Sequence, residues 1–363
     1  MSSPDRHMPR TGRGAASNPA NRFETTESLA IDDGWGSLDE PLPALETIVQ
    51  AEAARTIIAR NSSPDIPFTQ SINPYRGCEH ACTYCYARPS HGYAGLSPGL
   101  DFETKLFYKA DAARLLKNEL GRKSYVCSPI ALGSNTDPYQ PIERRYRVTR
   151  EILETLSACN HPATIVTKGA ALIGRDIERL ADMARRRLVS VFISITTLDP
   201  MLKRTLEPRA ASPAARLKAV ERLNAAGVPA GVMVAPVIPF LTDHEAEAIL
   251  EAAKTAGALS ADYIMLRLPH EVAPLFREWL ETHVPLKADH VMSRVQALRG
   301  GRDNDPRFGT RQRGEGVFAD IFRKRFDLAR RRQGLDGDDE RFRLDTTLFR
   351  PPRPKSPQRD LFC

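Results

Sequence analysis

No apolar run in the 363-residue chain approaches the ~18 residues that span a bilayer. Mean hydropathy is −0.38. The first 30 residues carry Arg, Asn, Ser and Pro but no apolar stretch of the secretory kind, so neither a signal nor a membrane partner is expected, and the expected location is cytoplasmic. Cysteine is scarce. Six in a chain this long do not make the disulfide framework of a small secreted domain, whereas clustered cysteines in a reducing compartment more often bind metal. Acidic residues are outnumbered, 45 Asp+Glu against 52 Lys+Arg, giving a net charge of +7. The surplus permits a polyanionic partner without specifying one.

What the chain does have is alternation. Residues 1–44 are rich in Ser, Pro, Gly, Asn and charge, lack periodicity, and are expected to be disordered. From Leu45 to Ala59 apolar residues recur at helical spacing and predict a leading helix. Strands are then predicted at Thr69–Tyr75, Tyr125–Leu132, Ala163–Thr167, Leu188–Thr196, Val228–Pro236 and Tyr263–Arg267. Helices are predicted at Asp111–Leu120, Thr149–Ala158, Arg175–Arg186, Pro213–Ala226, Asp243–Thr255 and Glu271–His283. Ser212-Pro213 reads as a helix start, and Gly227 and Gly257 as helix ends. Strand–helix units in series predict an α/β fold: a parallel sheet with helices outside, a partial (β/α)6 barrel left open where eight units would close. The expected organisation is a core over 45–285, a helical Arg-rich appendage over 286–345, and a Pro-rich, disordered tail over 346–363.

The sharpest feature is RGCEHACTYCYARP, which spaces Cys78, Cys82 and Cys85 as C-x3-C-x2-C. Three thiolates within eight residues meet one centre only if the chain wraps around it, and Gly77 permits such a loop. Three soft ligands without a fourth nearby suit a [4Fe–4S] cluster with one iron free of protein. Structural zinc, with His80 or His91 as fourth ligand, and unrelated buried cysteines are the other readings.

C-x3-C-x-Tyr-C after the first strand of such an array resembles the radical S-adenosylmethionine (SAM) superfamily. NPYRGCEHACTYCYARP and GSNTDPYQPIE resemble its spore photoproduct lyase-related, DNA repair photolyase-like branch. The resemblance implies a [4Fe–4S] cluster and SAM as cofactors, reductive cleavage of SAM to a 5′-deoxyadenosyl radical, hydrogen abstraction from a substrate, and a flavodoxin- or ferredoxin-like electron donor. It implies DNA as a partner. A radical SAM enzyme acting on a peptide or small metabolite is the alternative within the superfamily. A zinc-stabilised, non-catalytic nucleic-acid-binding protein is the alternative outside it. Spore photoproduct lyase needs a hydrogen-returning cysteine two residues before the position of Thr136, and this chain has Ser134 there. Cys127 and Cys159 read as structural.

Barrel ligands sit at the carboxyl ends of the strands. That selects Tyr84 and Tyr86 after strand one, Thr136 and Asp137 after strand two, Lys168 after strand three, Ser194 and Thr196 on strand four, and Ala235 on strand five. Thr136 and Asp137 could accept from the SAM amino group, Lys168 could pair with its carboxylate, Ser194 or Thr196 could reach the ribose, and Ala235 would let backbone approach the adenine. The resemblance carries Thr136, Asp137, Lys168 and Ser194 as SAM contacts. Arg209 and Arg216 read either as oxyanion forks or as salt bridges fixing the loop. Ile321–Gln333 carries six cations and one Asp, with Phe322 and Phe326 spaced to pin a helix. Its arginines read as a phosphate-binding stripe or as a solvated face. Gln358-Arg359-Asp360-Leu361-Phe362 resembles the pentapeptide with which bacterial replication proteins dock on the sliding clamp.

Overall fold

The computed structural model describes residues 11–24, 45–337 and 339–352. Among these residues ten strands form two sheets: β1 Ile48–Ala51, β2 Ile58–Arg60, β3 Gln70–Ile72, β4 Tyr75–Arg76, β5 Lys105–Tyr108, β6 Ile130–Leu132, β7 Ala163–Thr167, β8 Val189–Ser194, β9 Ala230–Val237 and β10 Ala261–Met265. The large sheet runs β10-β9-β8-β7-β6-β3-β2. From β3 to β10 all neighbours are parallel, and β2 lies antiparallel on β3. This is the expected open barrel of six parallel strands. β7 and β8 are rich in β-branched residues and covered on both faces, as parallel strands under helices must be.

The outer helices occupy the expected segments. Pro213–Ala225 starts where Ser212 Oγ accepts from the Ala215 amide at 3.2 Å, with Pro213 in its first turn. Gly227 follows at φ +78°, a conformation that favours glycine. Between sheet and helices lie Ile130, Leu132, Ile165, Val191, Ile193, Val232 and Val234, all 0–1% exposed. Burial of this kind stabilises at about 25 cal/mol per Å² of apolar surface.

Three expectations change. The leading helix over 45–59 is absent, and β1 and β2 stand in its place. β1 pairs with β5 and β2 with β3, so sheet pairing overrides the helical spacing of that segment. Residues 11–24, expected to be disordered, pack as a strap. The Gly14 and Ala15 amides donate to the buried carboxylate of Glu103 at 3.0 and 2.9 Å, and Asn18 and Asp101 are joined by two further bonds. Polar, glycine-bearing chain is fixed here through its backbone, which leaves no apolar period to read. The tail is anchored at its start, where Phe349 meets His161 at 5.2 Å and Arg350 N donates to Cys159 O. Gln358–Phe362 lies outside the described residues.

In the appendage, Ala288–Ala297 and Val317–Arg332 are helices. Phe322 and Phe326 are buried and meet the Tyr263 ring at 5.0 and 4.7 Å. Several arginines of this helix are engaged within the chain. Arg325 grips Glu247 through two bonds, Arg330 reaches Ala261 O, and Arg323 pairs with Asp320. The segment also closes the outer edge of β10: Ala261 N donates to Leu335 O, Met265 N to Gln312 O, and Arg313 to Tyr263 O.

Candidate active site

The loop after β4 carries Cys78, Cys82 and Cys85 at the carboxyl end of the sheet. It is held on every side. Gly77 sits at φ +73°, and a Cβ there would lie 2.6 Å from Leu106 Cδ2 and 2.8 Å from Phe102 O. Gln140 clamps both flanks of Cys78, accepting from Glu79 N at 2.8 Å and donating to Gly77 O at 3.1 Å. The fully buried Arg88 gives two bonds to Cys82 O and one each to Pro98 O and Gly99 O, and pairs with Glu103. The strap passes so close that a Cβ on Gly14 would sit 1.9 Å from Ala81 O.

Cys78 and Cys82 are buried, Cys85 is half-buried, and none is in a disulfide. Burial pushes all three thiols up, Cys82 to about 12. A metal group bound here must therefore displace protons from them. Among the described residues no three His, Cys, Asp or Glu side chains converge on a point that would hold a single ion. His80 Nδ1 faces Asp137 at 3.3 Å, and His91 is packed edge-on against Phe102 with Nε2 2.9 Å from Lys105 O. One ring nitrogen of each histidine is thus engaged by the protein, and Nδ1 of His91 is buried without a hydrogen-bond partner. The donor set is three thiols around one loop, which suits a cluster ligated at three corners.

The loop after β6 begins at Gly133 and wraps the side chain of Asn73, whose Oδ1 accepts from Asn135 N at 3.0 Å. Thr136 is buried and donates to Tyr75 O at 2.8 Å. Asp137 Oδ1 accepts from Thr167 Oγ1 and Tyr139 N, at 2.5 and 2.8 Å, and Oδ2 accepts from Lys168 N at 2.7 Å beside His80. Burial would raise the Asp137 carboxyl, but His80, Thr167 and the Lys168 amide override it and hold it at about 2. Its lone pairs are taken by the protein. Asp137 thus stitches the ends of β6 and β7 to the cysteine loop.

On the far side, Tyr84 donates to Glu207, whose same oxygen accepts from Thr196 at 2.8 Å. Thr196 Oγ1 also lies 2.9 Å from Ala235 O. The other Glu207 oxygen binds Arg216, which further donates to Ser194 O and Ala211 O. Burial acts against the Glu207 charge, but Arg216 and Lys168 hold its carboxyl at about 2. Arg216 therefore takes the salt-bridge reading. Arg209 pairs with Glu79 at 2.7 Å while remaining partly exposed.

Lys168 differs from these. Its ammonium lies 5.8 Å from the centre of the Tyr84 ring, and among the described residues it has no ion-pair partner. Ser194 is buried at the end of β8. Tyr86 is exposed, with its hydroxyl on Ser134 O. The structure thus gathers the sequence-derived set around one mouth and divides it. Thr136, Asp137 and Thr196 spend their polar atoms inside the protein, and Ala235 lends its carbonyl to them. Tyr84 and Ser194 lie buried at the mouth, and Lys168 and Tyr86 reach its surface. Sequence reading had assigned no role to Asn73, Gln140, Arg88 or Glu207. Three of these lie within the quoted motifs, where their spacing alone gives no sign of a clamp.

The radical SAM superfamily model matches residues 72–253, half of the chain. An uncharacterized protein of Mycobacterium bovis is 41% identical over 235 residues, 64% of this chain and 68% of that one. One of Methanocaldococcus jannaschii is 27% identical over 228 residues, 63% of this chain and 81% of that one. Two solved structures of spore photoproduct lyase variants share the fold. One has TM-score 0.53 and 18% identity over 78% of each chain; the other has 0.55 and 15% over 79% of each.

Proposed function

The chain belongs to the radical SAM superfamily, and from that premise we propose that it is a hydrogen-abstracting enzyme acting on nucleic acid. The superfamily uses a [4Fe–4S] cluster and SAM, and the three-thiol loop fits that group. When bound, the pair supplies one-electron cleavage of the sulfonium and hydrogen abstraction; the rest is the protein's part. Cys78, Cys82 and Cys85 would hold three irons. Lys168, unpaired at the mouth, would take the SAM carboxylate. Ser194 would meet the ribose, and the Tyr84 ring would wall the site, fixed by Thr196 and Glu207. Asp137, Thr136, Thr196 and Ala235 are positioning residues. The buried loop excludes water from the reacting centre.

The observation that carries the reading is the placement of three thiols free of disulfides, two buried and one half-buried, beside a Lys168 without an ion-pair partner among the described residues, at the carboxyl end of six parallel strands. The nucleic-acid substrate is supported by the +7 charge and by the motif resemblance and shared fold with spore photoproduct lyase. Ser134 in place of the hydrogen-donating cysteine points to a different fate for the substrate radical. A small electron-transfer protein as reductant, a cytoplasmic location, and clamp docking through Leu361 and Phe362 belong to the same reading. Among the described residues no helix is long and apolar enough to cross a membrane.

The test is anaerobic reconstitution followed by turnover with dithionite, SAM and deuterated DNA. The expected result is about four irons and four sulfides per chain, lost in the triple Cys→Ala variant, with deuterium appearing in 5′-deoxyadenosine. Iron-free protein would end the cluster assignment. Deuterium acquired only from a labelled peptide or metabolite pool would end the nucleic-acid assignment.

A further inference from the structure

We propose that Arg267, just beyond β10, docks a backbone phosphate of a nucleic-acid substrate at the rim of the mouth; this rests on the nucleic-acid reading above. Arg267 is half-buried, with its guanidinium 5.6 Å from the centre of the Tyr86 ring. Tyr86 follows Cys85 directly, so the guanidinium stands beside the cysteine loop. The Nε of Arg267 is buried without a hydrogen-bond partner, and among the described residues the side chain forms no ion pair. A cation withdrawn from water and left uncompensated is costly.

Asp65, the carboxylate that acts on Arg267, and Asp305 and Glu315, which act on the neighbouring Arg299, are already committed. Asp65 accepts from Gly309 N at 2.7 Å and from Arg311 Nε at 2.6 Å. Asp305 is held by Arg307 and Thr310, and Glu315 by Arg307. The other cations close by, Arg311 and Arg299, add like charge. Arg299 contrasts with Arg267: it is fully buried, yet its terminal nitrogens reach the carbonyls of Met265, Leu266, Thr310 and Arg311. No such outlet is seen for Arg267 among the described residues, which leaves its guanidinium open to an oxyanion from outside.

A guanidinium stacked on a ring keeps its N–H groups in plane and free for the two oxygens of a phosphate or carboxylate. The surroundings favour phosphate of a strand. Tyr86 is 45% exposed, and Phe308, 59% exposed, carries Arg311 at 4.7 Å from its ring centre. Exposed rings beside the free guanidinium of Arg267 suit a backbone flanked by stacking bases, where each phosphate is one step from a base; Arg311, held by Asp65, adds positive charge without a free fork. A peptide carboxylate would use the fork and leave the rings idle.

The test uses the reconstituted full-length protein and a fluorescein-labelled single-stranded DNA, read by anisotropy at several salt concentrations. Arg267→Gln is expected to weaken binding about tenfold, the worth of one charge-assisted hydrogen-bonded contact, and to reduce the salt slope by about one. A second arm avoids the variant: on the unmodified protein, neutral methylphosphonates replace the phosphates one at a time. One position should cost about tenfold, and in Arg267→Gln that position should become silent. Equal affinity of both proteins, or no sensitive position, overturns the Arg267 assignment and leaves the nucleic-acid reading standing. No DNA binding by the unmodified protein overturns both. A loss confined to SAM affinity would move Arg267 to the cofactor and overturn its substrate role.

Discussion

The backbone amide of Lys168 donates to the Asp137 carboxylate at 2.7 Å, so the Lys168 cation is aimed by the carboxylate that ends the preceding strand–loop unit. The cost of moving a binding group by an ångström is large. Asp137→Asn removes the charge that His80 faces and loosens this junction. SAM affinity is expected to fall about tenfold for Asp137→Asn and for Lys168→Ala, with the cluster retained in both. Because Asp137 acts through Lys168, the double variant should bind SAM no more weakly than Lys168→Ala alone. Additive losses in equilibrium SAM titrations would show that the two act separately.

Glu207 and Arg216 are both fully buried and paired with each other. Glu207→Gln leaves the Arg216 charge without its partner and should destabilise the apoprotein by roughly 3–5 kcal/mol. The carboxyl lies at about 2 in place of its ordinary 4.5. A depressed acid contributes fully above its unfolded value, and the contribution is lost as pH falls through the folded one. The gap in urea midpoint between the two proteins should therefore be constant near neutral pH and shrink from about 4.5 towards 2. A gap independent of pH down to 3 would remove Glu207 as its source.

Gly77 is required both for its backbone angle and for its missing side chain. Gly77→Ala meets roughly 1–2 kcal/mol for the left-handed conformation and about 1–3 kcal/mol for the contacts with Leu106 and Phe102. Because the strain falls beside Cys78, iron content should drop before the fold is lost. Iron and sulfide analysis alongside the melting temperature of the apoprotein checks the order.

Gly14 lets the strap lie against Ala81 O. Gly14→Ala should release residues 11–24 from the cysteine loop, since the added carbon meets the Ala81 backbone, which cannot swing aside as a side chain can. Trypsin should then cut after Arg13 markedly faster, with cluster loss in air accelerated in parallel. Unchanged cleavage would mean that the strap does not depend on the close fit of Gly14 against Ala81.

The barrel was legible because its signals are periodic. β7 matches its expected span to the residue, and Pro213–Ala225 carries its start signal in Ser212-Pro213. The three cysteines were legible because their spacing is chemically restrictive. The roles of Asp137 and Arg216 were only half legible. Residue type says that each can bind an ion, and only the fold shows that the ion is another side chain of the same protein. The strap was illegible because Glu103 fixes it through backbone amides, which every sequence has. β1 and β2 were misread as helix because short edge strands are decided by their partners, which lie far along the chain.

The edge of β10 is sealed by Gln312, Arg313, Arg330 and Leu335, all well beyond residue 253, where the family match stops. The stretch by which the chain is recognised is consequently not the stretch that can stand alone. Trimmed to 72–253, the protein would lack β10 and present β9 as a bare ribbon of amides and carbonyls, ready to zip onto a second molecule. Soluble expression should track the presence of residues 261–335, so the arginine-rich helix earns its place first as a hem to the sheet.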